Sequence, residues 1–156
     1  MQESDRLSPL IELRRRTEQD AIRLLHAARK ERETAESARR AASDLLAAQE
    51  VKLDEVARKD KEQEARGRRA SDAVVSVGYR RRLQAEREAL EAQFADARRA
   101  FEATEANEHA AEAAVAASVK ERKSMEIHRD ALVAEERKTA ERREEAEADD
   151  VVASRR

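Results

Sequence analysis

The residues of this chain that could do chemistry are its histidines and its many acidic and basic side chains. His26, His109 and His128 lie far apart in the sequence, and folding the chain back on itself at its centre brings no two of them opposite each other. A zinc site needs several ligands close together, and a histidine proton switch needs a charged neighbour. We therefore interpret the histidines as isolated surface residues.

Known sequence motifs for catalysis and nucleotide binding are missing. The chain contains no GxxxxGK[ST], GxGxxG or HExxH segment, so it lacks the usual phosphate cradles and the helical zinc protease site. Catalysis also needs a concave, partly dry site where groups with shifted pKa values converge, and paired long helices offer no such pocket. We expect no enzyme activity, no metal and no cofactor, so that any nucleotide involved is bound by a partner.

Composition indicates which elements must position the charged residues. Charged residues make up 44% of the chain and aromatic residues 2%, with one proline and no cysteine, so a many-sided globular core is hard to build. Alanine, glutamate, arginine and leucine dominate, and these are the best helix formers, whereas disordered chains are enriched in proline, serine and glycine. The composition predicts long helices.

Charge and hydropathy also exclude several partner classes. The formal net charge of −2 predicts neither nucleic-acid binding nor adhesion to anionic membranes. No apolar run approaches the roughly 20 residues that span a bilayer, so we expect no membrane insertion. The start, MQESDRLSPL, lacks the pattern of a signal peptide, and the absence of cysteine is compatible with a reducing compartment. We expect a cytoplasmic protein.

A seven-residue step marks one apolar row in each half of the chain. In the first half the row is Leu10, Thr17, Leu24, Glu31, Ala38, Leu45 and Lys52, flanked by Leu13, Ala21, Ala27, Ala28, Ala35, Ala41, Ala42, Ala48 and Val56. In the second half it is Leu83, Leu90, Ala97, Thr104, Ala111, Ser118, Met125, Leu132 and Thr139, joined by Arg87, Phe94 and Phe101. Heptad spacing of this kind is typical of paired helices in coiled coils.

Two helices joined by a short loop must lie antiparallel to bury these rows. We predict an all-α fold, a long antiparallel two-helix coiled-coil hairpin that is a monomer in isolation. Folding near residue 70 places Leu45 near Ala97 and Leu10 near Leu132. Phe94 and Phe101 then serve either as core residues of the hairpin or as anchors for another protein.

Helix boundaries follow from capping residues. The predicted segments are an N-terminal lead-in at 1–8, helix 1 at 9–66, a hairpin loop at 67–75, helix 2 at 76–146 and a disordered tail at 147–156. Ser8 can cap helix 1 with Pro9 in its first turn, and Ser71 or Asp72 can cap helix 2.

The position of the reversal depends on glycine. Gly67 is the first residue able to take a positive φ without penalty, and Gly78 offers a later alternative boundary. The tail EEAEADDVVASRR falls out of the heptad register and begins with repelling acids, which favours disorder or folding on a partner.

The midpoint of the chain contains a cluster of aliphatic, tyrosine and arginine residues. Its aliphatic and aromatic members are Val74, Val75, Val77 and Tyr79, and its arginines are Arg66, Arg68, Arg69, Arg80, Arg81 and Arg82. Apolar, tyrosine and arginine side chains together are typical of a docking patch for an acidic partner. The alternative is a loop cap packed on the hairpin's own end.

A second unusual stretch, SPLIELRRRTEQDAIRLL, lies near the start of helix 1. Its apolar residues are Leu10, Ile11, Leu13, Ile22, Leu24 and Leu25, and they cover more than one narrow row. Extra apolar width indicates either a second partner or a hydrophobic clasp on the open end of the hairpin.

The chain resembles the stalk proteins of type III export machines, the FliJ and YscO family of flagellar and virulence secretion systems. The resemblance lies in the chain length, the stretch LSPLIELRRRTEQDAIRLLHAARKERE, the mid-chain GRRASDAVVSVGYRRRL and the two long charged helices. Members form an antiparallel coiled coil, sit in the pore of the hexameric export ATPase and link it to the export gate. Some also bind secretion chaperones.

The resemblance implies an adaptor at the cytoplasmic side of the inner membrane, peripheral to the secretion apparatus. The paired terminal portions would engage the ATPase, through the residues Leu10, Leu13, Arg14, Arg15 and Arg16. The hairpin tip and the start of helix 2 would face the cytoplasmic domain of the export gate, through the residues Val77, Tyr79, Arg80 and Leu83. The competing interpretation is a generic coiled-coil tether or homodimeric spacer with no export role.

Overall fold

The computed structural model describes residues 3–153, and side-chain environments for residues 4–150. It consists of helix α1, Glu3–Ala65, a short loop, and helix α2, Ala70–Ala153. The fold is an all-α helical hairpin, so the predicted fold class is confirmed.

The helices pair within two compact units. The terminal unit contains the residues up to His26 and those from His109 onward, and the loop unit is Ala27–Glu108. In the terminal unit Ser4 donates a hydrogen bond to Glu136, and Arg122 pairs with Glu18. In each of these pairs the earlier residue of α1 meets the later residue of α2. The pairing is therefore antiparallel there.

The loop unit has the same order. Arg39 of α1 lies over the ring of Phe101 in α2, and Asp60, later in α1, pairs with Arg80, earlier in α2. The chain reverses at Gly67, whose φ is 84°, in the left-handed region that favours glycine. Helix α1 ends at Ala65, two residues before this glycine.

The second helix begins earlier than its sequence indicates. The backbone N–H groups of Asp72 and Ala73 donate to the carbonyl of Arg69 at 3.1 and 3.2 Å. Ser71 and Asp72 therefore lie inside the first turn and do not cap it, and the predicted loop at 67–75 is too long. Gly78 lies within α2, so the alternative boundary there is wrong.

The first helix also begins earlier than predicted, at Glu3, with Pro9 inside it. Ser4 is 5% exposed, and its backbone N–H and Oγ donate to the Glu136 carboxylate at 3.2 and 2.6 Å. A helix N-terminus has free N–H groups and favours a nearby negative charge. Glu136 of α2 thus supplies the capping contact that the sequence assigned to Ser8.

The predicted disordered tail is wrong for residues 147–153, which continue α2 to Ala153. Residues 144–148, EEAEA, are strong helix formers, so α2 runs without a break into this segment. Pairs such as Arg137 with Glu141, 3.0 Å apart, support the exposed turns that precede it. Residues 154–156 of the predicted tail lie outside the described part of the chain.

The buried face of α1 differs from the predicted row by one residue. Leu10, Leu24 and Leu45 are 46%, 67% and 55% exposed, whereas Ile11 is 2% exposed. We define the buried row as the buried and half-buried positions that recur every seven residues: Ser4, Ile11, Glu18, Leu25, Arg32, Arg39, Leu46, Leu53 and Asp60. The leucine row used for the prediction faces outward. Five of the flanking positions named with it are buried or half-buried: Ala21, Ala28, Ala35, Ala42 and Val56.

The error has a physical cause, because the buried row contains charges that α2 satisfies. Arg122 Nε lies 2.6 Å from a Glu18 carboxylate oxygen, and the Arg39 guanidinium lies 4.8 Å from the Phe101 ring centroid. Arg32 pairs with Glu108. Charges at a coiled-coil core position normally argue against that register, but partners across the interface remove most of the desolvation cost.

On α2 the predicted row is correct except at its end. Leu83 is buried, and the half-buried members are Leu90, Ala97, Thr104, Ala111, Ser118, Met125 and Leu132, accompanied by Arg87, Phe94 and Phe101. Phe94 and Phe101 are thus on the paired face, as core residues. Thr139 is exposed.

Candidate functional site

A cluster of polar side chains joins α1, the loop and α2 at the hairpin tip. Asp60 is 6% exposed, and its Oδ1 accepts hydrogen bonds from Arg68 Nη1 at 3.0 Å and from Ser76 Oγ. Arg80 Nε lies 3.1 Å from Asp60 Oδ2. We call Asp60, Arg68, Ser76 and Arg80 the tip cluster. It ties the last turns of α1 to the first turns of α2.

Arg68 is the central member of this cluster. Its side chain is 9% exposed, and its Nη2 donates to the backbone carbonyl of Asp72 at 2.7 Å. Arg68 therefore contacts both helices from the loop between them. Two of the midpoint arginines, Arg68 and Arg80, thus form contacts within the chain, which sequence composition alone could not reveal.

The tip cluster lowers the pKa of Asp60 below its ordinary value of 3.8. The hydrogen bond from Ser76 is the largest cause, burial opposes it, and the charges of Arg68 and Arg80 lower the pKa further. A carboxyl whose pKa is lowered by folding stabilises the fold above its unfolded pKa, and that contribution is lost as pH falls through the folded value.

This pKa shift predicts acid-sensitive protection of the tip. After correction for the pH dependence of intrinsic exchange, the rate of amide exchange near the loop should stay constant down to about pH 5. It should increase below about pH 4. Asp60→Asn should exchange faster at neutral pH and lose most of the acid dependence. Hydrogen exchange with mass spectrometry measures this, with Asp54→Asn as the exposed control. An Asp60→Asn profile that matches the wild type would contradict the role of the cluster.

The apolar residues of the midpoint lie on the surface of the hairpin tip. Val74 and Val75 are each 73% exposed, Tyr79 is 44% exposed, and Val77 is 39% exposed. The Arg82 guanidinium lies 6.0 Å from the Tyr79 ring centroid. We define the tip patch as Val74, Val75, Val77, Tyr79, Arg81 and Arg82. A loop cap would bury these valines, so their exposure favours the docking-patch interpretation.

The four residues assigned to the export gate have different environments. Val77 and Tyr79 are accessible, and Val77 lines an open groove of about 580 Å³ with Leu53 of α1. Arg80 is partly held by Asp60. Leu83 is 4% exposed, so it cannot contact a partner while the hairpin is closed, and its assignment as a surface contact is wrong. Its apolar side chain packs inside the hairpin.

The residues assigned to the ATPase lie in the terminal unit. Leu10 and Leu13 are 46% and 57% exposed. Arg14 pairs with Glu121 at 2.7 Å, and Arg15 pairs with Glu12 at 2.7 Å and with Glu126 at 3.2 Å. Arg16 is exposed and makes no ion pair within residues 4–150. Of the three arginines, Arg16 is the one most available to a partner.

The apolar residues of the stretch SPLIELRRRTEQDAIRLL divide into a buried group and an exposed group. Ile11 is buried and Leu25 is half-buried, so these two form the predicted hydrophobic clasp between α1 and α2. Leu10, Leu13 and Leu24 remain exposed and are available to a partner. In the sequence, the two groups are visible as two adjacent rows of apolar residues with heptad spacing.

A charged network in the terminal unit escaped the sequence analysis. Arg122 Nε donates to Glu18 at 2.6 Å and Nη1 donates to Glu126 at 2.8 Å, and Arg15 Nη2 donates to the same Glu126. The hydrogen bond to Glu18, followed by that to Glu126, raises the pKa of Arg122. The hydrogen bond from Arg122, aided by Arg15, lowers the pKa of Glu126. Both pKa shifts favour the charged forms of Arg122 and Glu126.

The described residues contain neither a metal-binding cluster nor a membrane-spanning helix. Among the described residues, no group of three or more histidine, aspartate or glutamate side chains is arranged to hold a metal ion. His109 has Glu112 3.5 Å away on the same exposed helix surface. Neither α1 nor α2, over the residues described, has a stretch long and apolar enough to cross a bilayer.

Comparison with known proteins gave no match to this chain among family models, curated proteins or solved structures. The candidate sites are therefore defined by their geometry. They are the tip patch in the loop unit and the exposed leucines with Arg16 in the terminal unit.

Proposed function

We propose that the protein is a non-catalytic adaptor of a type III protein export apparatus, linking the hexameric export ATPase to the cytoplasmic domain of the export gate. The observation that carries the proposal is the tip patch, with Val74 and Val75 each 73% exposed beside Tyr79 and two arginines. A reversal between helices needs only polar residues, so this exposed apolar surface calls for a partner.

The chemistry of the tip patch suits an acidic partner with an apolar pocket. Tyr79 and the valines offer burial at little conformational cost, and Arg81 and Arg82 attract negative charge. In the proposal this partner is the export gate. Arg68 and Arg80 of the tip cluster hold α1 and α2 together close to the tip patch. The patch therefore lies at an end of the hairpin where the two helices are fixed to each other.

The terminal unit carries the second surface of the adaptor. Leu10, Leu13 and Arg16 are exposed there, and the proposal assigns them to the export ATPase. Each helix runs unbroken from one unit into the other, so one chain can contact two assemblies. A single asymmetric chain within a six-fold ring contacts its subunits unequally, which can bias ring assembly or the order of nucleotide turnover.

The remaining parts of the proposal concern location and cargo. We place the adaptor in the cytoplasm, at the inner-membrane side of the apparatus, with secretion chaperones as further partners. Unchanged ATPase rate and oligomeric state on adding the protein would count against the coupling role.

A pull-down with purified ATPase and gate cytoplasmic domain tests the two-surface arrangement. Leu10→Ala with Leu13→Ala should lose the ATPase and keep the gate, and Val75→Ala with Tyr79→Ala should lose the gate and keep the ATPase. Leu45→Ala, 55% exposed in the wild type, is the matched control and should keep both. If the wild type captures neither protein, the export function is wrong.

A homodimeric tether is a second candidate, favoured by the exposed leucines Leu24 and Leu45. A dimer formed through them would bury both and would have twice the 17.7 kDa mass of one chain. Light scattering of the isolated protein separates the two candidates, because the adaptor is expected to be a monomer.

A further inference from the structure

Helix α1 carries a second apolar row that α2 does not cover. In the terminal unit it contains Leu10, Leu13, Thr17 and Leu24, which follow one another at steps of three, four and seven residues. All four are exposed, with Leu13 at 57% and Leu24 at 67%. We call these four residues the outer row. This spacing is that of knobs and holes in a helix pair, and Asp20, at the position between Thr17 and Leu24, is held by Arg23 at 3.1 Å. The row therefore suits another α-helix.

Two basic residues follow the outer row along one edge. Arg16 and Arg23 are seven residues apart, and at 100° per residue they lie on the side of the row that faces away from Ile11 and Leu25. Arg16 has no ion pair within residues 4–150, and the Arg23 side chain is 77% exposed in a single pair with Asp20. Both guanidinium groups are therefore accessible to a partner.

We propose that the outer row binds an amphipathic α-helix of a partner protein, whose apolar heptad positions pack between the leucines and whose acidic flank pairs with Arg16 and Arg23. The proposal rests on the proposed function only in assigning the terminal unit to partner binding. The occupant is a helix because the apolar row has helical spacing, and it is acidic because the accessible edge is basic. The bound helix forms a third helix beside α1 and α2.

The two other arginines of this segment, Arg14 and Arg15, add little to the binding of a partner helix. Arg14 and Arg15 are already paired with Glu121 and Glu126 of α2. A new contact by either arginine would replace one of these ion pairs, which offsets part of its gain. Arg23 is likewise paired, with Asp20, so selectivity for an acidic helix depends mainly on Arg16.

Synthetic helices of about 21 residues, with leucine at the a and d positions of three heptads, provide the probes. One probe has glutamate at every e and g position, which also opposes its self-pairing, and the matched probe has lysine there. Fluorescence anisotropy with the full chain should give an affinity at least about tenfold higher for the glutamate probe, a difference that falls with salt.

Variants locate the binding surface. Leu10→Ala with Leu24→Ala should weaken glutamate-probe binding by roughly tenfold or more, whereas Leu45→Ala, an equally exposed leucine in the loop unit, should leave it unchanged. Arg16→Glu with Arg23→Glu should reverse the preference toward the lysine probe. Circular dichroism should show equal helix content in all variants, because none of the changed residues is buried.

Several outcomes would overturn the proposal. Equal affinity for both probes, or no loss in the Leu10 and Leu24 variant, would remove the outer row as an acidic-helix site. Self-association that requires Leu10 and Leu24 would assign the row to a second copy, and leucine-dependent binding to anionic vesicles would assign it to a membrane surface. Probe binding without ATPase binding would refute the proposed function and leave this inference standing.

Discussion

Replacing Ile11 with alanine is expected to lower the free energy of unfolding by about 2–5 kcal/mol, whereas the same change at the adjacent Leu10 should cost about 1 kcal/mol or less. Ile11 is 2% exposed and Leu10 is 46% exposed. Truncation at Ile11 removes buried apolar surface and leaves a cavity against α2. Truncation at Leu10 removes contacts that water already shares, and alanine is the better helix former.

Denaturant unfolding followed by circular dichroism measures both changes. The pair is a direct test of the α1 register, because the two residues are adjacent aliphatic side chains of equal size that differ mainly in burial. Leu24 and Leu25 provide a second pair, with the larger loss expected at Leu25. A larger loss at Leu10 than at Ile11 would mean that the leucine row is the buried one.

Leu83→Ala should also cost about 2–5 kcal/mol, because Leu83 is 4% exposed inside the loop unit. Its backbone carbonyl accepts a 3.0 Å hydrogen bond from the buried Gln49 side chain, so the cavity would form beside a buried polar contact. Tyr79→Ala is the matched variant, since Tyr79 is only four residues earlier on α2 but 44% exposed. It should leave the unfolding free energy within about 1 kcal/mol of the wild type.

The two variants should separate stability from partner binding. Under the proposed function, Tyr79→Ala should weaken capture of the gate domain at full helix content, whereas Leu83→Ala should weaken it only under conditions in which the tip loses amide-exchange protection. Gate binding lost in a fully folded and protected Leu83→Ala chain would contradict the placement of Leu83 in the interior.

The buried face of α2 was predictable from the sequence and that of α1 was not, for a local reason. On α2 the apolar row from Leu83 to Leu132 has few competing neighbours, so its register was predictable. On α1 the large residues come in adjacent pairs, Leu24 with Leu25 and Leu45 with Leu46, and either member of each pair fits a heptad. The leucine row contains Glu31 and Lys52, and the buried row contains Glu18, Arg32 and Arg39, so charge did not distinguish the two rows either.

The candidate sites could be predicted in part. An apolar and arginine-rich midpoint indicated the tip patch, and an overly wide apolar stretch indicated the exposed leucines near the N-terminus. The tip cluster was not predictable, because Asp60 is one of many acidic residues on α1 and nothing in its local sequence distinguishes it. Its burial depends on Arg68, Ser76 and Arg80, which reach it only after the chain reverses.

The amino-acid sequence by itself determined the two helices, a reversal at one of the two mid-chain glycines and the buried face of α2, because helix propensity, a positive φ and heptad spacing act over a few residues. Tertiary structure alone decided which face of α1 is covered, which charges are paired and which candidate residues stay exposed. Those outcomes depend on the groups that the opposite helix brings within a few ångströms, and such partners are separated by many residues along the chain.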